Sequence, residues 1–233
     1  MQIQFDEEKH EYSVDGVKVP SVSEILSPLS ADRYSQIDKF VLKNAAERGT
    51  AVHAATRAID YGFAPEEDFS ISAYLKAYYM FLREVNPEWE MIENVVGYVR
   101  VPGEPPLYAG TIDRYGKIDG KPCVVDIKTY SSLTTDGFIS ASCQTALYRD
   151  AIESNQLADG VPEMVKGLDA YDGDGAPIRR YVLHLKADGN YRFASLDDFD
   201  KERGFNGGSV AWQLFGLYTA IKGARENIKR KKK

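Results

Sequence analysis

Two adjacent predicted strands that carry charged residues in an apolar setting constrain the fold more than any other part of this sequence. Residues 107–118 and 123–128 are rich in β-branched and aromatic side chains, and Asp119 and Gly120 between them suit a tight hairpin turn. The second strand is almost continuously apolar, which is typical of a strand buried on both faces at the centre of a sheet. Because helical patterns precede and follow this hairpin, the sequence predicts an α/β fold with a central mixed β-sheet flanked by helices.

The remaining patterns predict one domain that spans the whole chain. Asp15 and Gly16 join two short strands in an N-terminal β-hairpin, and the spacing of Ser21 and Glu24 predicts the capping box of a short helix. The predicted longer helices cover 36–61 (ended by Gly62), a stretch after Ser70, 138–155 and 209–229, and the further strands cover 92–101, 179–186 and 191–193. The 233 residues thus divide into the hairpin and short helix (1–28), a core (36–199), and a C-terminal helix with a basic tail (209–233).

Three of the charged residues in the two central strands are candidates for a site: Asp113 in the first strand, and Asp126 and Lys128 in the second. Adjacent strands are about 5 Å apart, so the two carboxylates can share one cation, and oxygen ligands of this kind suit magnesium or manganese. Lys128 shares a sheet face with Asp126 because side chains alternate along a strand, and its ammonium can orient water or offset charge on a phosphate. An isolated pair of this kind is usually solvated, but the apolar flanks favour a buried site, in which charges need partners.

Four short motifs occur in an order that resembles one nuclease family. Residues 48–53 read R-G-T-A-V-H, residues 110–113 read G-T-I-D, residues 126–128 read D-I-K, and residues 144–148 read Q-T-A-L-Y. Together they resemble the RecB-type branch of the PD-(D/E)XK nuclease superfamily, which includes nuclease domains of recombination and phage exonucleases. The resemblance covers roughly residues 45–150, and it implies a restriction-endonuclease-like core.

The resemblance implies roles for several of the motif residues and for two residues outside the motifs. The implied metal ligands are His53, Asp113, Asp126 and the main-chain carbonyl of Ile127, and the implied catalytic residues are Asp113, Asp126 and Lys128. Residues implied to support the site or contact DNA are Glu93, Gln144, Tyr148, Arg48 and Thr129, of which Glu93 is a weaker candidate, as a supporting or second-metal carboxylate. A lone helical histidine is more often an ordinary packing or surface residue, so the assignment of His53 depends on the other motifs.

These assignments predict a divalent-metal-dependent DNA nuclease that hydrolyses phosphodiester bonds with Mg²⁺ or Mn²⁺. The family favours an exonuclease that processes DNA ends in recombination or repair, encoded by a phage or a cell, with DNA and a recombination protein as the expected partners. Two alternatives remain open. One is a structure- or sequence-specific endonuclease, and the other is a catalytically inactive DNA-binding or scaffolding protein on a nuclease fold.

The composition of the chain argues against several other classes of protein. Cys123 and Cys143 are the only cysteines and form no C-x-x-C pair, so we expect no zinc ribbon and no iron–sulfur cluster. No apolar run approaches the roughly 18–20 residues of a membrane span, and the N-terminus lacks signal-peptide features, so we expect no membrane association and a cytoplasmic location. The net charge of -6 argues mildly against nucleic acid as a partner, although DNA responds to local patches. The basic run 229–233 is either a solvated tail or a contact to the DNA backbone.

Overall fold

The computed structural model describes residues 3–7, 9–66, 68–101, 104–156 and 177–230, which form two β-sheets and the helices around them. In chain order the elements are β1 (Ile3–Asp6), β2 (Glu11–Val14), β3 (Val17–Val19), α1 (Val22–Leu26), α2 (Pro28–Ser35), α3 (Lys39–Asp60), α4 (Ser72–Val85), β4 (Glu88–Tyr98), β5 (Tyr108–Ile118), β6 (Lys121–Lys128), α5 (Thr135–Gln156), β7 (Arg179–Leu185), β8 (Tyr191–Ser195), α6 (Leu196–Arg203) and α7 (Gly207–Arg230). Residues 157–176 of the predicted core and 231–233 of the basic tail lie outside the described residues.

A five-stranded sheet with the strand order β4-β5-β6-β7-β8 forms the centre of the fold. Neighbouring strands run antiparallel except β6 and β7, which are parallel and are separated in the chain by α5, as a parallel pair requires. Helices α3 and α4 cover one face, where Val52, Tyr78 and Ile127 share a buried cluster. Helices α5 and α7 cover the other face, where Val124 and Leu147 are buried together. This arrangement confirms the predicted α/β fold with a mixed sheet flanked by helices.

The predicted N-terminal hairpin is present and belongs to a three-stranded antiparallel sheet of order β1-β2-β3. Strands β2 and β3 are joined by Asp15 and Gly16, both with positive φ, as the predicted turn requires. The capping box is also confirmed, because Glu24 N donates to Ser21 Oγ at 3.0 Å and Ser21 N donates to Glu24 Oε2 at 2.9 Å. Strand β1 does not follow from the sequence pattern, since four residues are too few to show a period. Ser21 pairs with Ala109 in β5, so this small sheet lies against the central one.

Several element boundaries differ from the predicted ones by a few residues. Helix α3 begins at Lys39, after Asp38, whose side chain accepts hydrogen bonds from first-turn N–H groups, and it ends two residues before Gly62, which has the expected positive φ. Strand β4 covers Glu88–Tyr98 rather than 92–101, and it contains a bulge near its start. Helices α2 and α6 have eight residues each and were not expected, because no clear apolar period marks them.

A buried network of polar and charged groups joins α5, α6 and α7 to β7. Arg180 donates from Nε to Asp197 Oδ1 at 2.8 Å, from Nη2 to Asp200 Oδ2 at 2.9 Å, and from Nη1 to the Ser142 carbonyl at 3.0 Å. Asp200 also accepts from the Ser142 hydroxyl at 2.7 Å and from the Gly207 N–H at 3.1 Å. A Cβ at Gly207 would collide with the Ser142 side chain, so the close approach of α7 requires glycine there. Because these groups satisfy one another, the network has the character of a structural ion pair.

Candidate metal centre

The central charged residues lie just beyond the point where the paired register of β5 and β6 ends. The last paired residues at that end are Arg114 and Val125, and Asp113 and Asp126 are the next residues along each strand. Asp113 Oδ2 accepts a hydrogen bond of 2.6 Å from the Ile127 N–H. A side chain of β5 therefore bonds to the backbone of β6 here, which fixes the Asp113 carboxylate where the pairing of these two strands ends, although β5 stays paired with β4 and β6 with β7.

Three possible metal ligands converge from three elements: His53 on α3, Glu93 on β4 and Asp113 on β5. His53 Nδ1 lies 2.9 Å from Glu93 Oε1 and 3.7 Å from Asp113 Oδ1, and the ligand atoms of the three residues all lie within 4.8 Å of one another. Positions 92 and 94 pair with positions 114 and 112, which places Glu93 across from Asp113. The side chains are 27%, 17% and 10% exposed in that order. A histidine and two carboxylates at these separations could hold a metal ion.

Asp126 and Lys128 form a second group with two residues of α5. Lys128 Nζ donates to Asp126 Oδ1 at 2.7 Å and to Gln144 Oε1 at 3.2 Å, and Gln144 Nε2 donates to the Tyr148 hydroxyl at 3.5 Å. Asp126 and Lys128 share a sheet face, as their spacing predicts. Burial alone would lower the pKa of Lys128, but Asp126 beside it raises that pKa above its usual value. The lysine is therefore a cation that its neighbours hold in one position.

One oxygen of Asp126 has an environment that suits a cation. Asp126 Oδ1 accepts from Lys128, whereas Asp126 Oδ2 is buried and has no hydrogen-bond partner. Burial raises the pKa of Asp126 to about 6, against the opposing charge of Lys128 and with a further contribution from Asp113. A buried carboxylate oxygen without a partner is unfavourable. A divalent cation would supply both the partner and the compensating charge.

The charges around the site lead to the same conclusion. Its hydrogen-bonded network contains four carboxyl groups and two cationic side chains: Asp60, Glu93, Asp113 and Asp126, with Arg114 and Lys128. The negative excess is partly met by His53: burial alone would lower the pKa of this imidazole, but Asp113 and Glu93 raise it to about 9. A divalent cation would compete with this proton and balance the network more completely.

The structure places the other residues of interest around these two groups. Arg48 Nη2 donates to the Thr129 carbonyl at 3.3 Å, so both residues lie where α3 meets the end of β6. The Ile127 side chain is buried in the core, and its N–H contacts Asp113. Glu93, the weaker candidate by sequence, belongs to the three-residue ligand group, whereas Asp126 lies outside that group and beside Lys128.

Arg114 is part of the site although no motif in the sequence marks it. Its side chain is fully buried, and Nη1 donates to Glu93 Oε1 at 3.0 Å and to the Asp113 carbonyl at 2.7 Å. One signal could have found it, since an arginine within a strand predicted to be buried needs charged or polar partners. Those partners include Thr56 and Asp60 on α3, which only tertiary packing brings close.

The fold and the site define an α/β protein with a candidate metal centre of one histidine and two carboxylates, beside a buried aspartate–lysine pair. No protein-family model matches this chain, and no curated protein matches it. One solved structure that it resembles is described as "Crystal structure of SSO0001", with 14% sequence identity, 84% of each chain covered and a TM-score of 0.36. A similarity at that TM-score supports no conclusion about fold or function. Within the described ranges, no helix is both long and apolar enough to cross a membrane.

Replacing His53 with alanine is expected to weaken Mn²⁺ binding by about tenfold or more, because even groups that merely support a metal ligand contribute 10–100-fold to affinity. Calorimetric titration at matched pH measures the effect. The control is Asn44→Ala, on the exposed part of the same helix and outside the motif, which should bind Mn²⁺ as the wild type does. If His53→Ala melts at a lower temperature in chelator but binds Mn²⁺ with unchanged affinity, His53 is a packing residue and leaves the ligand set.

Proposed function

We propose that this protein is a divalent-metal-dependent nuclease that hydrolyses phosphodiester bonds in DNA, and that it belongs to the RecB-type branch of the PD-(D/E)XK superfamily. The observation that carries the proposal is the convergence of four motifs that are far apart in the sequence. His53 approaches Asp113 to 3.7 Å, and Lys128 bonds to both Asp126 and Gln144. Ordinary surface charges would have no reason to meet in this combination.

The donor atoms support Mg²⁺ or Mn²⁺ as the metal ion. Glu93, Asp113 and Asp126 offer carboxylate oxygens, which are the ligands that these hard cations prefer. His53 adds one imidazole nitrogen. When bound, the metal ion would polarise the scissile phosphate and lower the pKa of a coordinated water molecule.

The side chains of the site would each contribute a separate part of the chemistry. Asp113 has Oδ2 bonded to the Ile127 N–H, which leaves Oδ1, the oxygen 3.7 Å from His53 Nδ1, for the cation. Asp126 likewise has Oδ1 bonded to Lys128 and Oδ2 without a protein partner. Lys128 is held in place, so it can offset negative charge on a phosphate without reorganising.

An exonuclease that processes DNA ends in recombination or repair is the form of this activity that we favour. That preference comes from the family resemblance and not from a feature of the site, which an endonuclease could share. The expected products carry 5′-phosphate ends. Expected partners are DNA and a recombination protein.

The test places a closed circular DNA beside end-labelled single- and double-stranded oligonucleotides, each with Mg²⁺ or Mn²⁺ and the full chain. We expect the linear substrates to shorten with time, the circle to persist, and chelator to stop the reaction. Rapid cutting of the circle would instead identify an endonuclease. Mn²⁺ binding without cleavage of any substrate would favour the inactive DNA-binding alternative. A folded protein that neither binds Mn²⁺ nor cleaves DNA would contradict the proposal altogether.

A further inference from the structure

Arg114 connects the candidate ligands to helix α3 through four hydrogen bonds. Its guanidinium donates from Nε to Asp60 Oδ2 at 2.6 Å, from Nη2 to Thr56 Oγ1 at 3.0 Å, and from Nη1 to Glu93 Oε1 at 3.0 Å and to the Asp113 carbonyl at 2.7 Å. The side chain is fully buried. One planar group therefore joins α3, β4 and β5, the three elements that carry the three-residue ligand group.

Glu93 needs such a connection because its backbone conformation is unfavourable. Its φ is +52°, in the left-handed region that residues other than glycine rarely adopt, although the residue lies within a strand. Conformations of this kind persist only where the surroundings over-determine them, and they concentrate at functional sites. The Glu93 carboxylate accepts from Arg114 and lies 2.9 Å from His53 Nδ1. Both contacts direct it into the ligand group.

The same guanidinium also fixes the helix that carries His53. Thr56, which accepts from Arg114 Nη2, donates its hydroxyl to the His53 carbonyl at 3.1 Å. Asp60, one turn further along α3, accepts from Arg114 Nε and from the Tyr78 hydroxyl, each at 2.6 Å. The position of α3 against the sheet, and with it the position of His53, therefore depends on Arg114.

We infer that Arg114 is a positioning residue that holds His53, Glu93 and Asp113 in a metal-binding arrangement before the metal ion arrives. The inference rests on the proposed metal centre, but it does not depend on DNA cleavage. The charge of Arg114 balances Asp60 and Glu93, but a cation beside a metal site also repels the metal ion, so this charge does not itself favour metal binding. The geometry of the Arg114 guanidinium does favour it, because N–H donors that lie in one plane reach acceptors on three elements, and the single ammonium of a lysine cannot do this.

Arg114→Lys separates geometry from charge, since it keeps the positive charge and removes the planar fork. Arg180→Lys is the matched control, because Arg180 is also buried and bonded to two carboxylates, yet its network contains none of the three possible ligands. We expect Arg114→Lys to weaken Mn²⁺ binding about 10–100-fold, the range typical of groups that orient metal ligands. Arg180→Lys should bind Mn²⁺ as the wild type does. Both variants should melt at a lower temperature in chelator.

Calorimetric titration with MnCl₂, the electron paramagnetic resonance spectrum of the bound ion, and melting curves give readouts that are independent of nuclease activity. Equal Mn²⁺ affinity in Arg114→Lys and the wild type would overturn the inference. An equal loss in Arg180→Lys would also overturn it, because the cause would then be general loosening of the fold.

Thr56→Val decides the matter if Arg114→Lys does not fold. It removes one of the two acceptors that Arg114 has on α3, together with the hydrogen bond from Thr56 to the His53 carbonyl, and it leaves Arg114 and its bond to Asp60 in place. Weaker Mn²⁺ binding in this variant supports the inference, and unchanged binding overturns it. A wild-type protein that binds no Mn²⁺ is a distinguishable result, because it would contradict the metal centre itself.

Discussion

Asp126→Asn is expected to slow DNA hydrolysis about a thousandfold, since a metal ion contributes several kcal/mol to transition-state stabilisation and each 1.36 kcal/mol is a factor of ten. The substitution removes the negative charge at the buried oxygen Oδ2, which has no hydrogen-bond partner in the protein. The fold should survive, because an amide oxygen can still accept from Lys128. The change also has two opposing electrostatic effects on stability. It removes a carboxylate that is costly to bury, which stabilises the fold, and it leaves the Lys128 ammonium without that negative partner, which destabilises the fold.

Initial rates on an end-labelled duplex, measured over a range of Mn²⁺ concentrations, check this expectation. Asp119→Asn is the matched control, since it makes the same chemical change in the exposed turn between β5 and β6, where asparagine tolerates the positive φ. The control should keep the wild-type rate. Equal rates for wild type and Asp126→Asn would mean that the activity comes from a contaminant or from another site.

The central hairpin could be predicted from the sequence because its signals are local. Alternating side chains, the turn at Asp119 and Gly120, and the apolar run of β6 all act within a few residues of one another. The short elements β1, α2 and α6 could not be predicted in the same way, because four to eight residues show no clear period. Helix α6, for example, contributes Asp197 and Asp200 to the network around Arg180, and these contacts are tertiary.

The chemistry of the candidate site was easier to predict than its geometry. Asp113, Asp126 and Lys128 stand out because charged residues are unusual in a buried strand. Their division into two groups depends on packing between elements, which no local pattern encodes. Glu93 reaches the first group through a backbone conformation that its residue type disfavours. Arg114 meets its partners on α3 across 54 and 58 residues of chain.

In the proposed reaction, Lys128 acts on the substrate, whereas the carboxylates, including Asp126 beside it, hold the cation. Lys128→Met is expected to slow DNA hydrolysis about 100–1,000-fold, the range for removing one preorganised charge-stabilising donor. Methionine keeps an unbranched apolar stem but removes the ammonium that bonds to Asp126 and Gln144. Mn²⁺ affinity should stay the same or increase, because the change removes a positive charge and frees an oxygen of Asp126.

Mn²⁺ affinity and the rate at saturating Mn²⁺, measured for both variants, distinguish the role of Lys128 from that of Asp126. Asp126→Asn should weaken Mn²⁺ binding as well as the reaction, whereas Lys128→Met should lower the rate even when Mn²⁺ is saturating. Lys121→Met, at the opposite end of β6, serves as the control for losing a lysine from the same strand and should leave both quantities unchanged. Suppose instead that Lys128→Met loses Mn²⁺ affinity but regains the wild-type rate at saturating metal. Lys128 would then act by holding Asp126 in place, and the charge on the phosphate would have to be offset by another group.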